Sequence, residues 1–312
     1  MGTSILTEDE FNHAVDSMRK LVWAESSERE KIQALGINVI PADFYSNIPS
    51  ISEIQNSYEY EDATAPYLDT NIFDKKFLRD ELSSLIDYSK DFTPETDGDE
   101  KNCNQFFWEN SQFSYSDAMS YHAYIRRIKP KTIIEIGSGF SSLIALNALK
   151  KNGMGALTCI EPFPRPFLSH LGNMNEISLQ EIRAQDVDVE MLNSTLNDGD
   201  ILFIDSTHTV KTGSDCLHIY LRLLPYINKK IYVHVHDIFL PFGLPKSWLL
   251  DKQIYWTEQY LLLAWMIDNP RVSILFGSAY HKHFNPDLLD LFMHDRYPGG
   301  GGSFWLEYDG RR

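Results

Sequence analysis

The sequence predicts an α/β protein in which a mostly parallel sheet of seven strands follows a helical N-terminal extension. Between residues 132 and 308, short apolar runs rich in β-branched residues alternate with segments of helical periodicity. Apolar strands separated by helices are typical of a parallel sheet that helices cover on both faces. The first of these strands runs directly into a glycine-containing turn, which is where such sheets bind ligands.

Residues 1–105 form the predicted extension, and residues 106–312 form the predicted domain that contains the sheet. Apolar residues at helical spacing predict helices over 1–35 and 74–88. Residues 51–100 contain 14 Asp or Glu but only 4 Lys or Arg, which is typical of a solvated surface segment. The turn-rich, acidic stretch 93–102 marks the predicted boundary. We expect the extension to shape a binding site or an oligomer contact.

The elements of the second domain follow in order along the chain. A stripe of apolar residues predicts a helix over 116–128. Strands are predicted at 132–136, 156–162, 177–184, 200–206, 230–238, 272–278 and 303–308, and helices at 141–153, 164–172, 212–227, 258–267 and 286–292. The last two strands are separated by only a short helix, which allows an antiparallel end to the sheet.

The composition excludes several classes of protein. The chain has 312 residues, of which 43% are hydrophobic and 23% charged, as in ordinary soluble globular proteins. Its net charge of −16 disfavours binding to nucleic-acid phosphates. No apolar stretch reaches the ~18 residues of a membrane helix, and the N-terminus lacks the pattern of a secretory signal. Three scattered cysteines, Cys103, Cys159 and Cys216, indicate a reducing, cytoplasmic location.

The most specific motif is the turn Gly137-Ser138-Gly139, which lies between the first strand and a helix. Glycines allow a tight turn and a close approach to a ligand, and the start of the helix offers free N–H groups. The pattern therefore indicates a turn that binds a nucleotide-type cofactor. It is not a dinucleotide fingerprint, because Ser142 stands at the place of the third glycine, and no P-loop lysine follows.

Carboxylates at the ends of the next strands support a nucleotide-type cofactor. Glu161 ends the second strand, 22 residues after Gly139, where such sheets place an acid for the ribose hydroxyls. Asp186 follows the third strand, where an adenine amino group could be held. Glu135 lies inside the first strand, where burial is costly without a partner, and a cationic ligand group would be one.

The series EIGSG, IEP, AQD, LFIDSTH and VHVHD resembles the class I S-adenosylmethionine-dependent methyltransferases over roughly residues 110–308. Within that family the chain is most similar to small-molecule O-methyltransferases of the sugar and natural-product type. The resemblance implies a Rossmann-like sheet whose last strand is antiparallel. It also implies cofactor contacts from the turn, Glu161 and the nearby groups, which are Glu135, Gly137, Ser138, Gly139, Asp186, Asp205 and, from the segment before the first strand, Tyr115 and Asn110.

Acids and histidines follow the fourth and fifth strands, and three interpretations remain open. Asp205 and Asp237 could hold Mg²⁺ or Mn²⁺, which would orient two substrate oxygens. His208 or His236 could instead remove the acceptor proton without a metal. Alternatively, His208, His236 and Asp237 could hold a transition metal. Catechol and macrolide-sugar O-methyltransferases have acids at equivalent strand ends, but here Ile238 stands where their pattern continues with Asp or Asn.

The segment 239–259 is an aromatic insertion after the fifth strand and is the predicted wall of the acceptor site. Trp248, Tyr255 and Trp256 are candidates for stacking on a sugar or ring, and Glu258 and Gln259 for hydrogen bonds to its hydroxyls. His234 lies within a buried strand and is expected to have only a structural role. Residues 299–302 are four glycines, which predict a flexible hairpin or lid.

The sequence therefore predicts a cytoplasmic enzyme that transfers a methyl group from S-adenosylmethionine to a hydroxyl of a small polar acceptor. The cofactors expected are S-adenosylmethionine and either Mg²⁺ or Mn²⁺, if a metal assists. The expected partners are the small acceptor and a second copy of the chain, but neither nucleic acid nor membrane. Two alternatives remain open: an NAD-dependent oxidoreductase on the same scaffold, and a cofactor-binding partner subunit without turnover.

Overall fold

The computed structural model describes residues 5–61, 65–100, 103–113 and 115–311. The chain divides into two compact units, Met1–Ser57 and Tyr58–Arg312. Residues 58–105 thus belong to the unit that contains the sheet, and the predicted domain boundary near residue 105 stays a prediction. Residues 1–4 of the first predicted helix and 101–102 of the predicted acidic break lie outside the described residues.

The first unit contains three helices, α1 Glu8–Val22, α2 Ser26–Gln33 and α3 Ile51–Gln55. The single helix predicted over 1–35 is wrong, because the chain leaves the helical conformation between Trp23 and Glu25. Two serines follow at the start of α2, and serine favours helix ends over helix interiors. Capping boxes start both α1 and α3, in which a Glu three residues into the helix bonds back to the cap.

The second unit contains the predicted seven-stranded sheet. Its strands are β1 Thr132–Ile136, β2 Ala156–Ile160, β3 Ser178–Gln180, β4 Ile201–Ile204, β5 Lys230–Val235, β6 Val272–Gly277 and β7 Phe304–Asp309. They lie in the order β3-β2-β1-β4-β5-β7-β6, and β7 is antiparallel to both of its neighbours while the first five strands are parallel. This architecture confirms the predicted Rossmann-like fold and its antiparallel end.

Helices cover both faces of the sheet. They are α4 Lys75–Ser89, α5 Tyr115–Ile128, α6 Phe140–Asn152, α7 Pro166–Asn173, α8 Val189–Thr195, α9 Asp215–His218, α10 Lys246–Asp251, α11 Glu258–Met266, α12 Ser278–Phe284 and α13 Pro286–Phe292. Alternate residues of a strand point to opposite faces, so Ile133 packs in the core beneath α5 and α6 while Ile134 packs in the core beneath α11. The buried strands are therefore mostly apolar, as in parallel strands covered on both faces, and their buried polar residues include Glu135 in β1 and His234 in β5.

Four short helices are absent from the sequence prediction, namely α3, α8, α10 and α12. The helix predicted over 212–227 is also irregular, because a π-helical turn at Ile219–Leu223 and a 3₁₀ turn at Leu224–Tyr226 follow α9. Proline at position 225 lacks a backbone N–H, which favours such a tight terminal turn over a regular helix end. Among the described residues, no helix combines the length and the apolar character that spanning a membrane requires.

The turn between β1 and α6 approaches the end of β4 very closely. Gly137 has φ 84°, and a Cβ atom at this position would lie 1.8 Å from the carbonyl oxygen of Asp205. Gly139 has extended φ and would meet no atom within 4 Å. The first glycine is therefore required by the backbone, whereas the second leaves open space beside the turn.

We predict that Gly137→Ala lowers the free energy of unfolding by about 2–4 kcal/mol, because the substitution combines a strained φ with an overlap against backbone. Gly139→Ala is the matched control and should change the same quantity by less than about 1 kcal/mol. Urea denaturation of both variants measures the difference. Equal losses in the two variants would show that the close approach to Asp205 does not limit stability.

Candidate active site

A cavity of about 590 Å³ lies at the carboxyl ends of the parallel strands. Its surface includes the glycine turn after β1, Glu161 after β2, Asp205 and His208 after β4, and His236 and Asp237 after β5. The structure therefore brings together, in one cavity, the turn and the acid and histidine residues that the sequence placed at the strand ends. The carboxyl edge of an open α/β sheet is the expected position of a ligand site.

The cofactor end of the cavity is formed by the glycine turn and Glu161. The Glu161 carboxylate accepts hydrogen bonds from the backbone N–H groups of Ser138, at 3.3 Å, and Phe163, at 2.9 Å. The carboxylate thus lies beside the turn, with the open space at Gly139 next to it. These residues fit a nucleoside cofactor, because the acid is placed for ribose hydroxyls and the start of α6 offers free N–H groups.

The structure places four other predicted cofactor residues, Glu135, Asp186, Tyr115 and Asn110, outside the surface of this cavity. The side chain of Asn110 hydrogen-bonds the backbone of residues 107, 112 and 113 instead. Glu135 is fully buried beneath the turn, where it accepts hydrogen bonds from the hydroxyls of Tyr121 and Ser142. Burial raises the pKa of Glu135 to about 7 in spite of these hydrogen bonds. Asp186 is about half exposed and pairs with Arg183, and Tyr115 is 47% exposed at the start of α5.

Acids and histidines form a cluster around Asp205 in the same cavity. One oxygen of this carboxylate, Oδ1, lies 3.2 Å from Nε2 of His208 and 3.3 Å from Nδ1 of His236. Asp237 has φ 56°, which turns its side chain out of the alternation of β5 and towards the cavity. Its Oδ2 lies 3.7 Å from His208 Nε2 and 3.6 Å from His236 Nδ1. The turn of Asp237 towards the site agrees with its position at the end of the strand.

A second carboxylate lies behind each histidine. The other ring nitrogen of His208 is 2.8 Å from Glu258, which is itself 1% exposed and accepts a hydrogen bond from the hydroxyl of Tyr220. The other ring nitrogen of His236 is 3.3 Å from Asp117. The structure thus places Glu258 behind His208, and not at the acceptor side where the sequence analysis expected it. Gln259 is also buried, and its amide bonds the backbone of the 239–242 segment.

Carboxylates determine the protonation of the cluster. Burial alone would lower the pKa of His208, but its contacts with Asp205 and Glu258 outweigh burial and raise it to about 10. The pKa of His236 is raised as well, against burial, by Asp237, Asp205 and Asp117. Burial favours a raised pKa for Asp205, but the two imidazoles beside it bring the pKa well below its ordinary value. Four carboxyl groups thus surround two imidazoles, and burial raises the pKa of one of them, Asp237.

The cluster also has the spacing of a metal site. Ligand atoms of Asp205, His208 and Asp237 lie within 4.8 Å of one another. A neutral His208 would offer Nε2 to an ion while its Nδ1–H donates to Glu258, which is how metal-ligating histidines are usually held. Two carboxylates suit Mg²⁺ or Mn²⁺, and an imidazole nitrogen in the set favours a transition metal.

The insertion after β5 forms an aromatic wall of the cavity. The ring of Trp256 lies 4.3 Å from that of His208, and Trp248 meets Trp256 edge-on at 5.4 Å. The ammonium group of Lys252 lies over the ring of Trp248, 5.3 Å from the centroid of that ring. Tyr255 is half-buried and does not reach the cavity surface. Two of the three aromatic residues predicted for the acceptor site therefore line it.

Glu59, Tyr60 and Tyr67 contact the segment that carries this wall. The Glu59 carboxylate accepts hydrogen bonds from the hydroxyls of Tyr67 and Tyr260. The hydroxyl of Tyr60 donates to the carbonyl of Leu244 at 2.8 Å, and the N–H of Tyr67 donates to the carbonyl of Pro241 at 3.1 Å. These contacts reach Pro241 and Leu244 near the start of the insertion and Tyr260 directly after its end. No local pattern in the sequence connects residues 58–67 with 241–260, so the sequence analysis missed them.

Asp117 is a second residue that the sequence analysis missed. It accepts hydrogen bonds from the Ser278 hydroxyl at 2.7 Å and from the N–H groups of Ser303, at 2.8 Å, and Gly302, at 3.0 Å. The sequence could have indicated its burial, because Asp117 stands four residues, about one helical turn, before Tyr121 and therefore lies on the apolar face of α5. A carboxylate on the buried face of a helix needs partners, and these groups supply them.

The glycine tract 299–302 is not a flexible lid, contrary to expectation. A Cβ atom on Gly301 would lie 2.2 Å from the Asp117 carboxylate, and one on Gly302 would lie 2.6 Å from the Cα of Asp237. The tract is thus packed against the site. His234 is buried, donates or accepts one hydrogen bond with Ser303 at 2.7 Å, and stacks on an aromatic ring of β7, in agreement with a structural role.

Comparisons with known proteins identify the family. Residues 134–238 match the family model of a methyltransferase domain. A protein of Archaeoglobus fulgidus, described as uncharacterized, is 32% identical over 167 residues, which are 51% of this chain and 72% of that protein. The chain therefore belongs to the S-adenosylmethionine-dependent methyltransferases, as its motifs predicted.

Several solved structures are similar to this chain at sequence identities below 20%. The methyltransferase PaMTH1 of Podospora anserina, bound to SAH, is 18% identical, with 73% of this chain and 88% of that chain covered and a TM-score of 0.39. The O-methyltransferase from Bacillus cereus in complex with SAH is 12% identical, with 77% and 94% covered and a TM-score of 0.40. TomG of Streptomyces achromogenes is 16% identical, with 73% and 88% covered and a TM-score of 0.38. Similarity at this level does not extend to ligands or acceptors.

We predict that Glu59→Gln loosens the aromatic wall. The loss of charge-assisted hydrogen bonds, each contributing about 1.5–3 kcal/mol, should speed amide hydrogen exchange in the 241–246 segment by about tenfold or more. Asp251→Asn is the control, because this aspartate is exposed at the end of α10 in the same insertion. Exchange measured by mass spectrometry compares the two, and an unchanged rate in Glu59→Gln would contradict the anchoring role.

Proposed function

We propose that this methyltransferase methylates a hydroxyl group of a small polar acceptor, such as a sugar or a natural product. One observation carries the proposal: the cofactor turn and the cluster of acids and imidazoles open into the same cavity, next to one another. Methyl transfer is an in-line displacement, so a donor site and a proton-accepting or oxygen-binding group have to lie on either side of the methyl group. The neighbouring positions of the ends of β1, β4 and β5 support this proposal.

In the proposal, Gly137, Ser138 and Gly139 pass beneath the methionine part of S-adenosylmethionine, and Glu161 binds the ribose. When bound, the cofactor supplies an electrophilic methyl group on a sulfonium. The surplus of carboxylates in the cavity suits this positive charge. Asp186 is proposed for the adenine, although its carboxylate is now paired with Arg183 at the surface. The roles of Glu135 and Tyr115 as cofactor contacts stay predictions, since neither reaches the cavity surface.

We propose a divalent ion as the group that activates the acceptor hydroxyl, held by Asp205 and Asp237 together with His208. A bound ion would orient the acceptor oxygen and would lower the pKa of its hydroxyl. The spacing supports it, because ligand atoms of two carboxyl groups and one imidazole lie within 4.8 Å of one another. The alternative is His208 or His236 as general base. It is less favoured because the surrounding carboxylates raise the pKa of each imidazole, and a ring that already carries a proton cannot accept another. Metal binding by His208 also requires the neutral ring, but a bound cation would itself displace that proton.

The aromatic wall supports a ring-containing acceptor. Trp248 and Trp256 line the cavity, and aromatic rings of this kind stack on sugars and planar rings. A cytoplasmic location, a homo-oligomer and a role of the N-terminal extension in the acceptor site are part of the same proposal. The free thiols of Cys103, Cys159 and Cys216, all buried, are compatible with a reducing compartment.

Cofactor binding is tested by calorimetry with S-adenosylhomocysteine. We expect binding by the wild-type protein and none of NAD, and a loss of about 10–100-fold in affinity for Glu161→Ala, as removal of a charged hydrogen-bonding group predicts. Glu161→Gln tests the charge alone. Glu181→Ala, at an exposed position shortly after β3, is the control. Unchanged affinity in Glu161→Ala, with the control intact, would refute the ribose role.

The metal is tested by methyl uptake from labelled S-adenosylmethionine into a panel of hydroxylated sugars and sugar nucleotides. We expect EDTA to abolish uptake and Mn²⁺ or Mg²⁺ to restore it. Asp237→Asn should lower uptake at least about tenfold, because it removes a charged ligand. Full activity in EDTA would remove the metal from the proposal and leave His208 or His236 as the base.

A further inference from the structure

The two imidazoles of the site belong to one continuous chain of side-chain contacts. Glu258 contacts His208 at 2.8 Å, His208 contacts Asp205 at 3.2 Å, Asp205 contacts His236 at 3.3 Å, and His236 contacts Asp117 at 3.3 Å. Carboxylates and imidazoles thus alternate along this series of side-chain contacts. Both imidazoles meet the same oxygen of Asp205, which lies at the cavity, while the outer two carboxylates lie away from its surface.

The outer carboxylates are themselves fixed by donors from other parts of the fold. Glu258 has its second oxygen occupied by the hydroxyl of Tyr220 at 2.8 Å. Asp117 is held by the hydroxyl of Ser278 and by two backbone N–H groups of the 302–303 segment. Both acids are buried, so neither can rotate into water without losing these bonds. Each therefore presents a fixed oxygen to one imidazole.

The start of α11 fixes the backbone of His208 as well as its ring. His208 has φ 57°, a conformation that is uncommon for residues with a side chain. Its carbonyl oxygen accepts hydrogen bonds from the N–H groups of Thr257, at 2.8 Å, and Glu258, at 3.0 Å. The same residue, Glu258, thus holds the carbonyl and Nδ1 of His208. This double contact leaves Nε2 as the ring nitrogen that faces the cavity.

We propose that Glu258 and Asp117 are positioning residues, which aim Nε2 of His208 and Nδ1 of His236 at Oδ1 of Asp205. This inference rests on the proposed function, because it gives these two nitrogens their place beside the reacting groups. It applies to a histidine that binds a metal and to one that moves a proton, since both roles need one defined ring nitrogen in the cavity. Neither acid touches the acceptor in this arrangement.

Nitrogen NMR of the protein labelled with ¹⁵N-histidine, without cofactor or acceptor, tests the assignment. In the wild-type protein we expect protons on Nδ1 of His208 and Nε2 of His236 that exchange slowly with water. In Glu258→Gln the amide oxygen stays with the Tyr220 hydroxyl, so its NH₂ group faces His208. The Nδ1 proton should then be lost, or exchange at least about tenfold faster, as loss of a charge-assisted bond predicts. His236 should be unchanged.

Asp117→Asn should give the converse result, with Nε2 of His236 altered and His208 unchanged. Glu181→Gln is the matched control and should alter neither ring. If Glu258→Gln does not fold, Tyr220→Phe replaces it, because this change frees one oxygen of Glu258 without touching His208. A smaller shift of the same His208 signal is then expected. Histidine signals identical to wild type in folded Glu258→Gln or, where it replaces that variant, in Tyr220→Phe would overturn the proposal.

The same variants separate this inference from the proposed function. Because the NMR result needs no turnover, it stands or falls independently of methyl uptake. Calorimetry with S-adenosylhomocysteine should give the wild-type affinity for both variants, since neither acid lines the glycine turn. Failure of the wild-type protein to bind S-adenosylhomocysteine would count against the proposed function only. A loss of its binding in Glu258→Gln alone, with the histidine signals unchanged, would assign Glu258 to the cofactor site and overturn its positioning role.

Discussion

The contact between Gly137 and the carbonyl oxygen of Asp205 determines how the two halves of the cavity meet. β1 and β4 are neighbours in the sheet, and the N–H of Asp205 donates to the carbonyl of Ile136 at 2.9 Å. The turn after one strand and the acid after the other therefore leave the sheet side by side. Because the glycine has no Cβ, the two backbones can touch. Glu161, from the strand on one side, and His236, from the strand on the other, extend this arrangement.

The strands and the site residues that follow them could be predicted from sequence because both depend on short-range patterns. A run such as Thr132–Ile136 is apolar and β-branched, and the position of Glu161 follows from the geometry of one strand, turn and helix. The same holds for Asp205 and Asp237, since parallel strands end at one edge of the sheet. The fold prediction succeeded for this reason, including its antiparallel end.

The remaining features depend on contacts between distant segments. Glu258 begins a helix 50 residues after His208, and only the packing of that helix shows that its carboxylate lies behind the imidazole instead of facing the acceptor. Glu59 reaches Tyr260 across 201 residues. Short helices such as α8 and α12 were missed because a turn or two of helix carries too few residues for a periodic signal.

The glycine tract 299–302 limits which amino-acid substitutions the protein tolerates near its C-terminal strand. In sequence, residues 299–302 look like a spacer that any small or polar residue could replace. In the fold, Gly301 lies against the Asp117 carboxylate and Gly302 against the backbone of Asp237, so even one methyl group would collide with an acid of the site. Although it looks featureless in sequence, this stretch therefore leaves no room for side chains beside two acids of the site, and substitutions within it should disturb those acids.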